Sequence, residues 1–363
     1  MLDANILKNE ERAVFALRGL YRQYGYLPYK MSKFEDYEYY IRNKDFLVSD
    51  RIITFNDTNG RLLALKPDVT LSIVKNGEDI LGCKQKVYYN ENVYRVSENT
   101  RQFKELMQAG LECIGDIDLY DIFEVVSLAA QSLAQISEDF VLQISHLGIL
   151  SAVLDRVCPD QGFQQKAIAC VESKNAHDLA RLCREWGVEE NLLVRFISAY
   201  GQRDKVLAQL EDLGGGQDAL QELKEISVLL DRMPWGDRVI FDFSVVNNMS
   251  YYNGIVFRGF LSGICEGVLA GGQYDKLMQK LDRRAGAIGF ALYLDLLEQL
   301  PAQRNEYDVD VLLLYDANAD KQAVTAAVAE LIADGKTVSA QKSVPAKLRY
   351  RQLVQLSKEG VVC

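Results

Sequence analysis

Apolar positions along the chain change their period repeatedly, and each change marks an element. Val14, Leu17, Leu20, Tyr21 and Tyr24 recur at helical spacing before Gly25, which predicts an amphipathic helix over 9–24 with a glycine stop. "IITFNDTNGRLLAL" (52–65) sets two apolar runs around Asn59-Gly60, a hairpin signal. "KPDVTLSIVKN" predicts a turn leading into a helix, with Asp68 and Thr70 at its entrance. "QKVYYNENVYRV" (85–96) and "LMQAGLECIG" (106–115) predict strands joined by the polar loop "SENTRQFKE". A helix returns over 120–135, followed by the strand-like "FVLQISHLGIL".

From 151 to 232 the pattern is helical, broken by Pro159, Gly187 and Gly214-Gly215-Gly216. Strand patterns resume at "RVIFDFSVV" (238–246) and continue to 273; "IGFALYLDLLEQL" (288–300) then reads as a last helix before Pro301. "YDVDVLLLYD" and "DKQAVTAAVAELIADG" predict the strand and helix that open a short α/β domain. The organisation expected is α+β: one mixed domain from 1–150 and 233–303, a helical insertion over 151–232, and an α/β segment over 304–363.

Composition narrows the function classes. The 363 residues are 48% hydrophobic, enough for a packed core, yet no apolar run approaches the ~18 residues of a membrane span. Charges in "MLDANILKNEERAV" stand where a signal peptide needs an apolar region, so a cytoplasmic location is expected. Seven scattered cysteines without a CxxC pair fit reduced thiols. His146 and His177 lack partners at metal-ligand spacing, so no metal is expected. A formal charge of −10 argues against broad nucleic-acid binding. No phosphate-cradling loop, dinucleotide fingerprint or Ser/Cys–His pairing appears, and no cofactor is expected.

Two strand faces carry candidate chemistry. In "MQAGLEC", Gln108, Gly110 and Glu112 share one face, and Met107, Ala109, Leu111 and Cys113 the other. This pattern suits a half-buried strand with a wet face, or a pocket floor with a glycine gap between two hydrogen-bonding side chains. In "SYYNGIVF", alternation puts Tyr252, Gly254 and Val256 together, leaving space before a phenol; an Asn-Gly hairpin with core tyrosines is the competing reading. "AGGQYD" alone reads as a glycine turn.

Taken in order, "YGYLPYKMSKFE", "LALKPDVT", "VYR" with "MQAGLECIG", "SYYNGIVF", "AGGQYD" and "AIGFALYLDLL" resemble the catalytic domain of the histidyl-tRNA synthetase family over about residues 5–300. The resemblance implies a class II synthetase-like antiparallel sheet flanked by helices, with 151–232 in the place of that family's insertion and a truncated anticodon-domain-like tail. It also implies that "YYNGIVF" continues as a strand, displacing the hairpin reading. Carried over, the amino-acid pocket comprises Asp68, Thr70, Arg95, Gln108, Glu112, Tyr251, Tyr252 and Tyr274. Asp68 stands where the family has Glu, suited to an α-ammonium group. Glu112 would accept from an imidazole N–H, with a phenol on the opposite side.

Groups that handle ATP in that family are replaced here. Arg95 matches the arginine of the second motif, but its partner Glu is Ser97, and the following loop is shorter and lacks the basic pattern. Asn247 replaces the arginine before "YY", Asp295-Leu296 replaces Glu-Arg, Gln273 replaces the Arg of "GGRYD", and Ser32 replaces a proline. Loss of phosphate-facing arginines removes electrostatic groups worth about 10²–10³ each in rate. A histidine pocket without ATP chemistry resembles the synthetase-like regulatory subunits of ATP phosphoribosyltransferase. That likeness implies no catalytic residues, a homodimer, a catalytic-subunit partner in a hetero-oligomer, and a place in histidine biosynthesis. The alternatives are an active histidyl-tRNA synthetase, needing ATP-contacting arginines from unmatched positions, and a histidine-binding paralogue in another pathway.

Overall fold

The computed structural model describes residues 7–43, 52–77, 82–97, 100–214, 216–246, 249, 251–301, 306–357 and 360–362. Asn247 and Ser250 lie outside the described residues. The chain divides into two compact units, Leu7–Leu300 and Pro301–Cys363. Among the described residues no helix is long and apolar enough to cross a membrane.

In the larger unit the elements run α1 (Asn9–Gln23), β1 (Leu27–Pro28), β2 (Phe34–Asp36), α2 (Tyr37–Arg42), β3 (Thr54–Asn56), β4 (Leu62–Leu65), α3 (Val69–Asn76), β5 (Gln85–Val96), β6 (Phe103–Gly115) and α4 (Leu119–Ala134). Then come β7 (Phe140–His146), α5 (Leu147–Val157), α6 (Gln161–Glu172), α7 (Ala176–Trp186), α8 (Asn191–Ile197), β8 (Tyr200–Gly201), α9 (Arg203–Leu213) and α10 (Gln217–Leu230). Strands β9 (Val239–Asp242), β10 (Ile255–Leu261) and β11 (Leu269–Gln273), helix α11 (Asp275–Lys280) and β12 (Gly286–Tyr293) complete it. Among the described residues one nine-stranded sheet runs β1-β5-β6-β12-β11-β10-β7-β9-β8, and β2-β4-β3 forms a small second sheet. Only the pairs β1–β5 and β7–β9 of the large sheet are parallel.

Local chemistry explains the elements nearest the pocket. Gly60 turns the β3–β4 hairpin with φ +80°, a region only glycine enters without penalty. Asp68 caps α3, its Oδ1 accepting from the Leu71 amide at 2.9 Å. Asp118 and Asp121 cap α4 reciprocally, and that helix buries Val125, Leu128, Ala129 and Leu133. Helix α1 buries Ala13, Val14, Leu17, Leu20 and Tyr21 in the same core. The helices of 151–232 share this core too: Val153, Phe163, Leu182, Phe196 and Leu223 belong to one continuous cluster with Leu111, Leu142 and Phe257 of the sheet.

Three expectations are corrected. The segment 288–300 is not a helix: β12 lies between β11 and β6, and a short 3₁₀ turn covers only Leu294–Gln299. A central strand buried on both faces shows an unbroken apolar run, which periodicity cannot tell from a buried helix. "FVLQISHLGIL" changes at His146 from strand to helix, with the His146 ring accepting from the Gly148 amide as the cap of α5. The strand of 238–246 stops at Asp242, whose carboxylate bonds the Ser244 amide and hydroxyl and turns the chain.

In the smaller unit β13 (Val309–Tyr315), α12 (Lys321–Ala333), β14 (Val338–Gln341), β15 (Tyr350–Ser357) and β16 (Gly360–Val362) make a sheet ordered β14-β13-β15-β16. Val311, Leu313 and Val354 form its core with Ala327 of α12.

A candidate amino-acid pocket on the central sheet

Small residues make the concavity. Paired residues on antiparallel strands share a face, and two rows of the sheet read Glu112–Gly289–Gly272 and Gly110–Ala291–Ala270. Walls of long side chains around this small-residue floor leave a cleft with about 610 Å³ of atom-free space, part of it open to solvent. Asp68, Thr70, Arg95, Gln108, Glu112, Tyr251, Tyr252 and Tyr274 all line it. Tyr89, Ala270, Gly289 and Tyr293 line it as well. Sequence reading missed those four; the last two went unseen because their strand was taken for a helix.

Glu112 is the electrostatic centre. Its side chain is 1% exposed and occupies the hollow left by Gly289, where any Cβ would fall on its carboxylate. Thr70 donates its hydroxyl to Oε1 at 2.7 Å, and Tyr274 donates its phenol to Oε2 at 2.7 Å. Burial pushes the Glu112 carboxyl up to about 8, against the pull of those two hydroxyls. The expected arrangement of a phenol facing the carboxylate across a ligand therefore does not hold for Tyr274, which binds the carboxylate itself.

Asp68 and Arg95 form the second charged element. The Arg95 guanidinium lies 4.0 Å from Asp68 Oδ2, and its Nε donates to the Pro67 carbonyl at 3.1 Å. Burial raises the Asp68 carboxyl, while Arg95 and the amides at the start of α3 hold it down. Cap and pocket group are thus one residue.

Aromatic rings form the rest of the wall. Tyr251 lies 4.6 Å from Tyr252 and 5.6 Å from Tyr274, ring centre to ring centre, all tilted. Tyr251 and Tyr252 precede β10 rather than belonging to it, so both face the pocket and strict alternation fails there. The gap at Gly110 is not open floor: the Tyr89 phenol lies over it and donates to the Phe290 carbonyl at 3.4 Å. Gln108 is buried in the pocket lining. Among the described residues no group of three or more His, Cys, Asp or Glu is placed to hold a metal ion.

Comparison with known proteins gives the family. The family model for histidyl-tRNA synthetase matches residues 2–297. The chain belongs to the histidyl-tRNA synthetase family. Among curated relatives, the ATP phosphoribosyltransferase regulatory subunit of Oceanobacillus iheyensis is 26% identical over 333 residues, covering 88% of this chain and 80% of the relative. The protein of the same description from Bacillus cereus is 24% identical over 321 residues, 83% of this chain and 75% of its own. A Bacillus halodurans structure, described as an ATP phosphoribosyltransferase regulatory subunit/histidyl-tRNA synthetase, superposes with TM-score 0.77 at 23% identity, covering 96% of this chain and 93% of the other. An ATP phosphoribosyl transferase (HisG:HisZ) complex from Thermotoga maritima contains a chain that superposes with TM-score 0.64 at 19% identity, covering 78% and 97%.

Three of the substituted residues, Leu296, Asp295 and Gln273, lie away from the cleft. Leu296 packs against the main core, and Asp295 accepts from the Met107 amide at 2.9 Å. Neither lines the cleft, and Gln273 does not either.

Glu112 gives a pH signature. Its folded-state carboxyl is raised, so the stability linked to its proton is present below the unfolded value near 4.5 and is lost as pH rises towards 8. Native protein should lose stability relative to Glu112→Gln across pH 5–8, by up to about 1.4 kcal/mol per pH unit with a matching fall in melting temperature, and run parallel above 8. Thermal melts of both proteins against pH check this; parallel curves throughout would place a charged, compensated carboxylate in the pocket.

Proposed function

We propose that this chain is a non-catalytic regulatory subunit of ATP phosphoribosyltransferase that binds histidine in the cleft around Glu112. It works in the cytoplasm, assembled with the catalytic subunit at the first step of histidine biosynthesis. The observation that carries this reading is the charge inventory of the cleft: two carboxyls, Asp68 and Glu112, against one guanidinium, Arg95, already bonded to the Pro67 carbonyl. With Glu112 holding its proton, Asp68 and Arg95 balance, so the site suits a ligand that carries one ammonium, one carboxylate and a neutral acceptor for the Glu112 O–H. A phosphate-rich ligand finds no surplus of positive charge there.

Histidine supplies all three. Its α-ammonium pairs with Asp68 and its α-carboxylate with Arg95. Its imidazole, with an ordinary pKa near ~6.5, accepts a hydrogen bond from the proton held by Glu112. Tyr251 and Tyr252 enclose the ring, and Gln108 adds an amide. The names of the Oceanobacillus and Bacillus relatives support the catalytic subunit as partner. We assign 151–232 to the place of the family's insertion and 304–363 to an anticodon-domain-like segment.

We further propose a homodimer, as expected of this fold. Exposed Leu27, Phe34 and Leu62 support it, with Phe55 stacked edge-on at 5.4 Å from Phe34. Light scattering should give a dimer at micromolar concentration; a stable monomer with no partner requirement contradicts it.

Calorimetry should detect histidine binding, with a matching rise in melting temperature. Asp68→Asn, Glu112→Gln and Tyr252→Phe should each weaken it by about ten- to a hundred-fold, the cost of one poorly paired buried polar group. No heat and no thermal shift at millimolar histidine, with or without the catalytic partner, rejects the reading. Histidine-dependent ATP–pyrophosphate exchange should be absent, because Leu296 and Gln273 bring no charge to the cleft. Robust exchange would instead identify an active synthetase.

A further inference from the structure

Strands β10 and β11 pair with Val256 opposite Gly272, a register that would next set Ile255 opposite Gln273. The ladder does not continue in that form. The Ile255 amide donates to the side-chain Oε1 of Gln273 at 2.9 Å, and the Gln273 backbone carbonyl accepts from Asn253 at 3.1 Å. Gly254 is looped out between them. A Cβ there would fall on the Gln273 amide, so the missing side chain is what admits the glutamine.

The looped-out segment is fixed on both sides. Gly254 offers its carbonyl to the Leu147 amide, the first residue of α5, at 2.9 Å. Asn253 Nδ2 donates to Asp275 Oδ2 at 3.0 Å, and Asp275 Oδ1 accepts from the Ala287 amide at 2.9 Å. Bulges of this kind re-aim neighbouring side chains. Here the residues re-aimed are Tyr251 and Tyr252, which both enter the pocket although a regular strand would send them to opposite faces.

We propose that Gln273 is a positioning residue whose side-chain carbonyl closes a bulge at Gly254, holding the Tyr251–Tyr252 wall in the pocket and tying it to the start of α5. The substitution of Gln for Arg in "AGGQYD" is then a gain as well as a loss. An arginine has donors only and cannot accept from the Ile255 amide. The consequence for ligand affinity rests on the histidine reading; the bulge itself does not.

Gln273→Met removes the acceptor at similar length, Gln273→Arg replaces it with donors, and Gln273→Glu keeps it. Two readouts apply: hydrogen exchange of the Ile255 amide in ligand-free protein, and calorimetric affinity for free histidine. Met and Arg variants should exchange Ile255 at least about tenfold faster and bind histidine about tenfold more weakly, with Glu near native in both. Unchanged Ile255 protection in the Met variant, or a Glu variant as impaired as Met, overturns the proposal. Native protein that takes up no histidine defeats the functional reading alone, and exchange at Ile255 still decides the bulge.

Discussion

A carboxyl group buried without a cation is expensive to keep, and the architecture around Glu112 exists to keep one. Gly289 gives it room, since a side chain there would collide with the carboxylate. Thr70, at the first turn of α3, and Tyr274, at the end of β11, each supply a hydroxyl. Three elements distant in sequence, α3, β6 and β11, are thus fixed relative to one another by a single side chain. The remaining penalty appears as a carboxyl raised to about 8. A group held in that state keeps its proton at neutral pH and offers an O–H to an acceptor that enters the pocket.

The charge balance favours the proposed amino-acid site over a nucleotide site. Phosphoryl chemistry needs fixed cations aimed at the charge that develops. Arg95 instead faces Asp68 and the Pro67 carbonyl, and Leu296 belongs to the hydrophobic core. On the proposed reading the cleft binds its ligand without transforming it. A ligand that is only bound can still act through linkage, because an effector that favours one assembly state is itself bound more tightly by that state. The Gly254 carbonyl reaches the first residue of α5, giving the tyrosine wall a direct connection to the helical segment.

Much of this was legible in the sequence, for identifiable reasons. The Asn59-Gly60 hairpin, the Asp68 cap and the alternation of "MQAGLEC" are local signals, and each corresponds to an observed element. All eight residues expected in the pocket do line one cleft. Three features resisted because they are tertiary. Strand β12 is apolar on both faces, so its run carries no period, and Tyr293 was lost with it. The space at Gly110 is filled by Tyr89 of the neighbouring strand, which no single-strand pattern can reveal. The approach to β10 breaks alternation because a glutamine side chain completes its pairing.

The central claim is that this pocket reads histidine on behalf of a partner. The most direct measurement reconstitutes ATP phosphoribosyltransferase activity from the catalytic subunit and this chain and titrates histidine with native and Glu112→Gln chains. The account predicts that the histidine concentration for half-maximal effect rises by about tenfold or more in the variant, at unchanged assembly. Identical titration curves for the two chains, or a histidine response that does not require this chain, would contradict it.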